Sequence, residues 1–284
     1  MSAATAPTLW ATSDLHVGHA GNAPKLDRLR PADGGDWLLV AGDVGERAAD
    51  VLAVLRILAG RYDRVIWSPG NHELWTTPRD PLQLRGRRRY DYLVAGAQAL
   101  GVLTPEDEFA RWPGPSGPVT IAPLFLLYDY SFRPDGATTK AQALAAAEQA
   151  GVACADETLL HPEPYPSCEQ WCADRVAYSQ ARLDAVSGPT VLMNHWPLVR
   201  ADTDILRYPV FAQWCGTELS ADWHLRYRAQ VVVYGHLHIP RTTFHDGVRF
   251  EEVSLGYPRE WSARPWEPVI PRRVLPALAA PVGL

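Results

Sequence analysis

Short apolar runs, each closed by a polar cluster, recur along this chain. LWATS runs into Asp14-Leu15-His16, WLLVA into Gly42-Asp43, VIWSP into Gly70-Asn71-His72-Glu73, VLM into Asn194-His195, and VVVY into Gly235-His236-Leu237-His238. Apolar runs of this length bounded by turn residues read as buried strands. Between the second and third, residues 46–60 carry leucines and valines at helical spacing with Gly60 as a stop, which predicts a strand–helix–strand crossover. Further on, 119–132 (VTIAPLFLLYDYSF) reads as strand, the alanine-rich 139–150 as helix, 161–167 (HPEPYPS) as a proline-rich loop, and the stretch through 186 as helix. Asp246-Gly247 between 242–244 and 248–254 is a strong two-residue hairpin signal, so antiparallel strands are expected to join late.

No internal repeat or domain boundary is visible, and residues 1–262 are expected to fold as a single domain. Within it, 129–186 is expected to be an insertion between core strands that borders the cleft, since long excursions are often functional. The proline- and alanine-rich 263–284 is expected to be a loosely attached tail, and residues 1–7 to be equally unfixed.

In open α/β sheets, ligands gather just outside the carboxyl ends of the strands. Carboxylate, amide and imidazole groups delivered there five times over point to a metal centre. Side chains two apart on an extended segment face the same way, so Asp14 with His16, and His236 with His238, are each expected to grip one site together. Asp43 is the natural bridge, because one carboxylate can bind two cations. Oxygen and imidazole donors without thiolate suit manganese, iron or zinc. Each signature alone is weak; the ordered set carries the reading.

Lys and Arg total 27 against 32 Asp and Glu, a net charge of −5, which argues against a nucleic-acid partner. Arg85, Arg87, Arg88 and Arg89 form the exception, a basic cluster that could steer an acidic ligand toward the site. The first twenty residues have no apolar segment following positive charge, and no run approaches membrane-spanning length. A cytoplasmic protein without a membrane partner is expected. Cys154, Cys168, Cys172 and Cys215 show no zinc-type pairing, so reduced thiols are the expectation. Oligomeric state is left open.

The ordered D-x-H, G-D, G-N-H-E, later histidine and G-H-x-H resembles the calcineurin-like metallophosphoesterase superfamily. That resemblance implies an α/β fold, a four-layer αββα sandwich with mixed sheets. It also implies two metal ions, one held by Asp14, His16, Asp43 and His238, the other by Asp43, Asn71, His195 and His236. Manganese or iron are the first choices, with zinc as the third. Two such cations about 3.5–4 Å apart can share one water, lower its pKa and clamp phosphoryl oxygens during in-line attack. His72 is then the candidate general acid for the leaving oxygen, a role worth about 10²–10⁴ in rate; the alternative is that it only orients Asn71. Glu73 is expected to tether the loop.

Longer stretches, among them NHELWTTPRDPLQ, RRRYDYLV, LFLLYDYSF, YGHLHIPRTT and GVRFEEVSLGYPREW, are similar to the actinobacterial phosphopantetheinyl hydrolases. That closer resemblance implies a phosphodiester substrate, the 4′-phosphopantetheine of holo acyl carrier protein, and a role for the arginine cluster in docking that acidic partner. The competing readings are a phosphoesterase for nucleotides or small phosphate esters, a DNA-processing nuclease, which the acidic balance disfavours, and a non-catalytic metal-bound scaffold.

Overall fold

The computed structural model describes residues 7–267 and 269–277. Residues 1–6, most of the expected N-terminal arm, and 278–284 lie outside it. All five signature strands form: β1 (Leu9–Thr12), β2 (Trp37–Ala41), β3 (Arg64–Ser68), then, after the hairpin β4 (Ala110–Gly114) and β5 (Gly117–Pro123), β6 (Thr190–Met193) and β7 (Ala229–Tyr234). β8 (Arg241–His245) and β9 (Val248–Glu252) pair antiparallel around Asp246-Gly247, whose φ values of 51° and 80° are those of a primed turn. β10 (Arg272–Leu275) comes last.

The strands make two mixed sheets, in the orders β10-β1-β2-β3 and β4-β5-β6-β7-β9-β8. Strand alternation explains how they stack. Trp37, Leu39 and Ala41 of β2 face inward with Ile121, Val191, Met193, Val231 and Val233 of the other sheet, forming a core between the two. Leu38 and Val40 face the opposite way, into the core beneath the helices. On that side pack α1 (Ala48–Ala59) and, beyond the single turn α2 (Asn71–Leu74), α3 (Gly86–Ala99). Helices α4 (Lys140–Gln149), α5 (Asp156–Leu159) and α6 (Cys168–Asp184), followed by the short α7 (Trp223–Arg226), complete the sandwich; Trp171, Cys172 and Trp223 are buried with Leu192, Val232 and Tyr234. α8 (Pro258–Trp261) follows β9. This is the expected α/β sandwich with mixed sheets.

Two expectations need correction. The apolar 119–132 is not one strand: β5 stops at Pro123, and the buried segment beyond it turns through left-handed residues Leu127 and Tyr130, both at φ 61°. Nor is the stretch after Ala263 simply a loose tail. Its β10 pairs antiparallel with β1 and buries Val274 and Leu275 between the sheets. All four cysteines are free.

Candidate metal centre

Strands β1, β2, β3, β6 and β7 end on one side of the sandwich, and the residues just past those ends converge. The chain does not stay extended there. Asp14, His16, Asp43, His236 and His238 have φ between 40° and 68°, in the left-handed region that non-glycine residues seldom occupy. Such conformations persist only where surrounding contacts enforce them, and they cluster at functional sites. The Asp14/His16 pair therefore meets through a left-handed turn rather than through strand alternation. His236 and His238, expected to act together, diverge to opposite ends of the cluster. The turns are packed so closely that a Cβ on Gly70 would lie 2.2 Å from Asp43 Oδ1, and one on Gly235 2.2 Å from Asp14 Oδ2.

The cluster has two halves. In the first, His238 Nε2 lies 3.0 Å from Asp14 Oδ1 and 3.1 Å from His16 Nε2. In the second, His195 Nε2 lies 3.1 Å from Asn71 Oδ1 and 3.2 Å from His236 Nδ1. Asp43 Oδ2 stands between them, 3.9 Å from His16 Nε2 and 3.4 Å from His195 Nε2. Each half is braced from behind. His238 Nδ1 faces Glu260 Oε2 at 2.7 Å, and His195 Nδ1 faces the Ala41 carbonyl at 2.8 Å, so both rings can donate outward and keep Nε2 free for the centre. Asn71 Nδ2 donates to Asp156 Oδ1 at 2.9 Å, which aims its carbonyl oxygen inward.

His72 sits beside this cluster. Its Nε2 lies 3.8 Å from Asp43 Oδ2 and 3.2 Å from the Tyr257 hydroxyl, its Nδ1 meets Glu46 Oε1 at 3.1 Å, and its ring lies over Trp75 with centroids 3.6 Å apart. Glu73 accepts backbone N–H bonds from Asp43, Val44 and Gly70 at 2.7–2.8 Å, tying the β2 and β3 loops together.

Arg89 was expected to be part of a docking cluster, and it is not. It is fully buried, donating to the carbonyls of Glu73 and Glu46 and to the Asp80 carboxylate, and so pins the loops that carry the site from below. Arg87 pairs with Asp91 at 2.6 Å, while Arg85, just before α3, and Arg88, within it, are exposed.

Charge explains why these groups suit cations. Burial alone would raise Asp14, but the His238 imidazole beside it holds the carboxyl down to about 2. Burial would lower His238 and His195; the Asp14 and Glu260 carboxylates lift the first to about 10, and Asp43 lifts the second to about 9. Burial, reinforced by neighbouring imidazoles, lowers His16 to about 4 and His236 to about 3, keeping both neutral as ligands must be. His72 is raised: burial pulls it down, but Asp43 and Glu46 outweigh that. The site thus holds buried carboxylates that demand positive charge, and imidazole nitrogens aimed at one another rather than at hydrogen-bond donors. Asp14, His16 and His238, and likewise Asp14, Asp43 and His195, offer donor atoms all within 4.8 Å of one another. The residues fit metal ions.

A model of the calcineurin-like phosphoesterases matches residues 7–240. The chain belongs to that family. It is 58% identical over 260 residues to the [acyl-carrier-protein] phosphodiesterase PptH of Mycobacterium tuberculosis, a match covering 91% of this chain and 80% of the relative. The crystal structure of phosphopantetheinyl hydrolase (PptH) from the same organism superposes with a TM-score of 0.95 at 55% identity, covering 99% of this chain and 100% of that one. The calcineurin-like phosphoesterases work with divalent metal ions, in keeping with the aspartate and histidine groups gathered here.

Two cavities meet at His72, on either side of it. One, about 970 Å³, lies beyond His72 and is lined by Glu46, Arg47, Trp75, Arg79, Tyr257 and Arg259 among others. The second, about 610 Å³, has Asp43, Asn71, His236 and His238 at its floor and Leu206, Tyr208, Phe211 and Ile239 in its walls. Ala153, Cys154 and Ala155, from the expected insertion, close one side. Glu46, Asp156, Tyr257 and Glu260 carry no signature of their own in the sequence. Only Glu46 had a cue, three residues past Asp43 in the same turn. Among the described residues no helix is long and apolar enough to cross a membrane.

Proposed function

We propose that this chain hydrolyses the phosphodiester joining 4′-phosphopantetheine to the serine of a holo acyl carrier protein, using two metal ions. The observation that carries this reading is the 58% identity to the mycobacterial [acyl-carrier-protein] phosphodiesterase, over nearly the whole chain. In the proposal, Asp14, His16 and His238 hold one ion, Asn71, His195 and His236 hold the other, and Asp43 belongs to both. The oxygen and nitrogen donor set favours manganese or iron. When bound, such ions would lower the pKa of water and neutralise charge on phosphoryl oxygens.

The remaining work falls to the protein's own groups. Water, giving up one proton to solvent, forms the new bond from its oxygen to phosphorus, the bond from phosphorus to the serine oxygen breaks, and that oxygen leaves as an alkoxide needing a proton. His72 supplies it. Its Nε2 faces the centre, while the Glu46 carboxylate behind Nδ1 and the Trp75 ring beneath fix its orientation. Segment 129–186 contributes Asp156 and one cleft wall, which supports a part in seating the substrate.

Mass spectrometry of a holo carrier protein incubated with enzyme and manganese tests the reading directly. Loss of the phosphopantetheine mass is expected. An intact carrier in a preparation that hydrolyses cyclic nucleotides rapidly would contradict it.

A further inference from the structure

The two cavities differ in chemistry, and His72, Trp75, Tyr257 and Arg259 line both, forming the wall between them. The smaller one is lined by Asp43, Asn71, His236 and His238 and walled by Leu206, Tyr208, Phe211 and Ile239, with the exposed Arg207 the one arginine, among the described residues, that lines it alone. It suits an uncharged chain of amides and methyl groups attached to phosphorus. Its counterpart beyond His72 is wider and cationic at its rim, where Arg47, Arg79 and Arg259 are all exposed. Glu46 and Asp50 also line it. Glu46 is engaged by His72, and Asp50 lies 3.7 Å from Arg47, so that pair is partly self-neutralised. Among the described residues, Arg79 and Arg259 form no ion pair with a carboxylate, although the chain as a whole is acidic. A phosphodiester has two substituents, and cavities on both sides of this wall offer each of them a separate place.

From this, and resting on the function proposed above, we propose that the carrier protein docks on the rim formed by Arg47, Arg79 and Arg259, with its pantetheine arm in the smaller cleft. Carrier proteins are small and acidic, so their surface complements an arginine rim. An uncharged arm gains nothing there. This surface replaces the one the sequence pointed to: Arg85 and Arg88, at the start of α3, line neither cavity, and Arg89 is buried. Rim charges act chiefly on encounter and on salt dependence rather than on the bond-breaking step.

The test uses the metal-loaded enzyme and two substrates, a holo carrier protein and a small aryl phosphodiester. Arg47→Ser/Arg79→Ser, two exposed positions that line only the wider cavity, is expected to raise KM for the carrier by about five-fold or more relative to KM for the aryl diester, and to flatten the rise of carrier KM with salt. Arg79→Glu is expected to exceed that effect. Arg85→Ser/Arg88→Ser is expected to move carrier KM far less. Equal changes on both substrates, or a carrier-selective rise in the Arg85/Arg88 variant alone, would overturn the docking surface while leaving the function intact. A wild-type enzyme that cleaves the aryl diester but never the holo carrier would overturn the functional reading, and the docking surface with it.

Discussion

Each half of the centre supplies two imidazoles and one oxygen donor of its own, but the two are not equivalent. The first brings Asp14 together with His16 and His238 and is braced by the Glu260 carboxylate from α8. The second replaces the aspartate with neutral Asn71 and braces its His195 with a backbone carbonyl. Asp43 is common to both. More carboxylate charge surrounds the first half, so it should hold its ion more tightly, and the second should exchange more readily. An amide also differs from a carboxylate in needing to be aimed, which is the role of buried Asp156 against Asn71 Nδ2.

Removing the shared group should erase the difference between the halves. Asp43→Ala is expected to deplete both ions and reduce turnover to background, seen by metal analysis beside kinetics; a variant with full metal content and a normal rate would break the assignment. His72 belongs to neither half, so His72→Ala should retain both ions while slowing turnover by about 10²–10⁴. Loss of metal in that variant would make His72 a ligand or an orienting group instead.

The braces separate the halves one at a time. Glu260→Gln should weaken the first ion, and Asp156→Asn the second, each by about 10–100-fold. Because the second half starts weaker, Asp156→Asn should leave a protein with one ion at limiting metal, whereas Glu260→Gln should narrow the gap between the two affinities. Chelator titration with metal quantification would show both.

The smallest expected effect is on pH dependence. Each half holds one imidazole raised above its ordinary value, His238 to about 10 and His195 to about 9. In metal-free protein their contribution to stability is complete below the unfolded value of about 6.5 and is lost as pH rises through about 9 to 10. The loaded protein should behave oppositely, because protons compete with metal for the same nitrogens and the stabilisation by bound ions fades as pH falls. Between about pH 6.5 and 9, melting temperature against pH should slope in opposite directions with and without metal; parallel curves in that window would mean that these imidazoles do not face the ions.

Much of this centre is legible in the sequence, because each candidate ligand follows directly from a strand whose apolar run can be recognised. The braces are not. Asp156, Tyr257 and Glu260 come from short helices and loops without periodic pattern, and only the folded chain brings them to the site, Tyr257 to His72 across 185 positions and Asp156 to Asn71 across 85. The metal pairs were expected for an incomplete reason, since extended alternation gives way to left-handed turns that no residue type announces. Arg89 shows a different failure. In a run of arginines it looks like surface charge, yet it shares a helical face with Leu93 and Ala97, both buried, and that spacing was the available cue. Arg89→Ala should destabilise the protein by about 3–5 kcal/mol, because Asp80 would be left buried and unpaired. The strand Arg272–Leu275 is four residues long between prolines and has no alternation of its own; pairing with β1 makes it a strand.

The central claim is that five separate strand ends gather donors for two ions around one shared aspartate. Anomalous diffraction from crystals of the manganese-loaded protein tests it most directly. The account predicts two peaks, one beside Asp14, His16 and His238, the other beside Asn71, His195 and His236, each in contact with Asp43. A single peak, or two peaks that leave Asp43 uncoordinated, would contradict it.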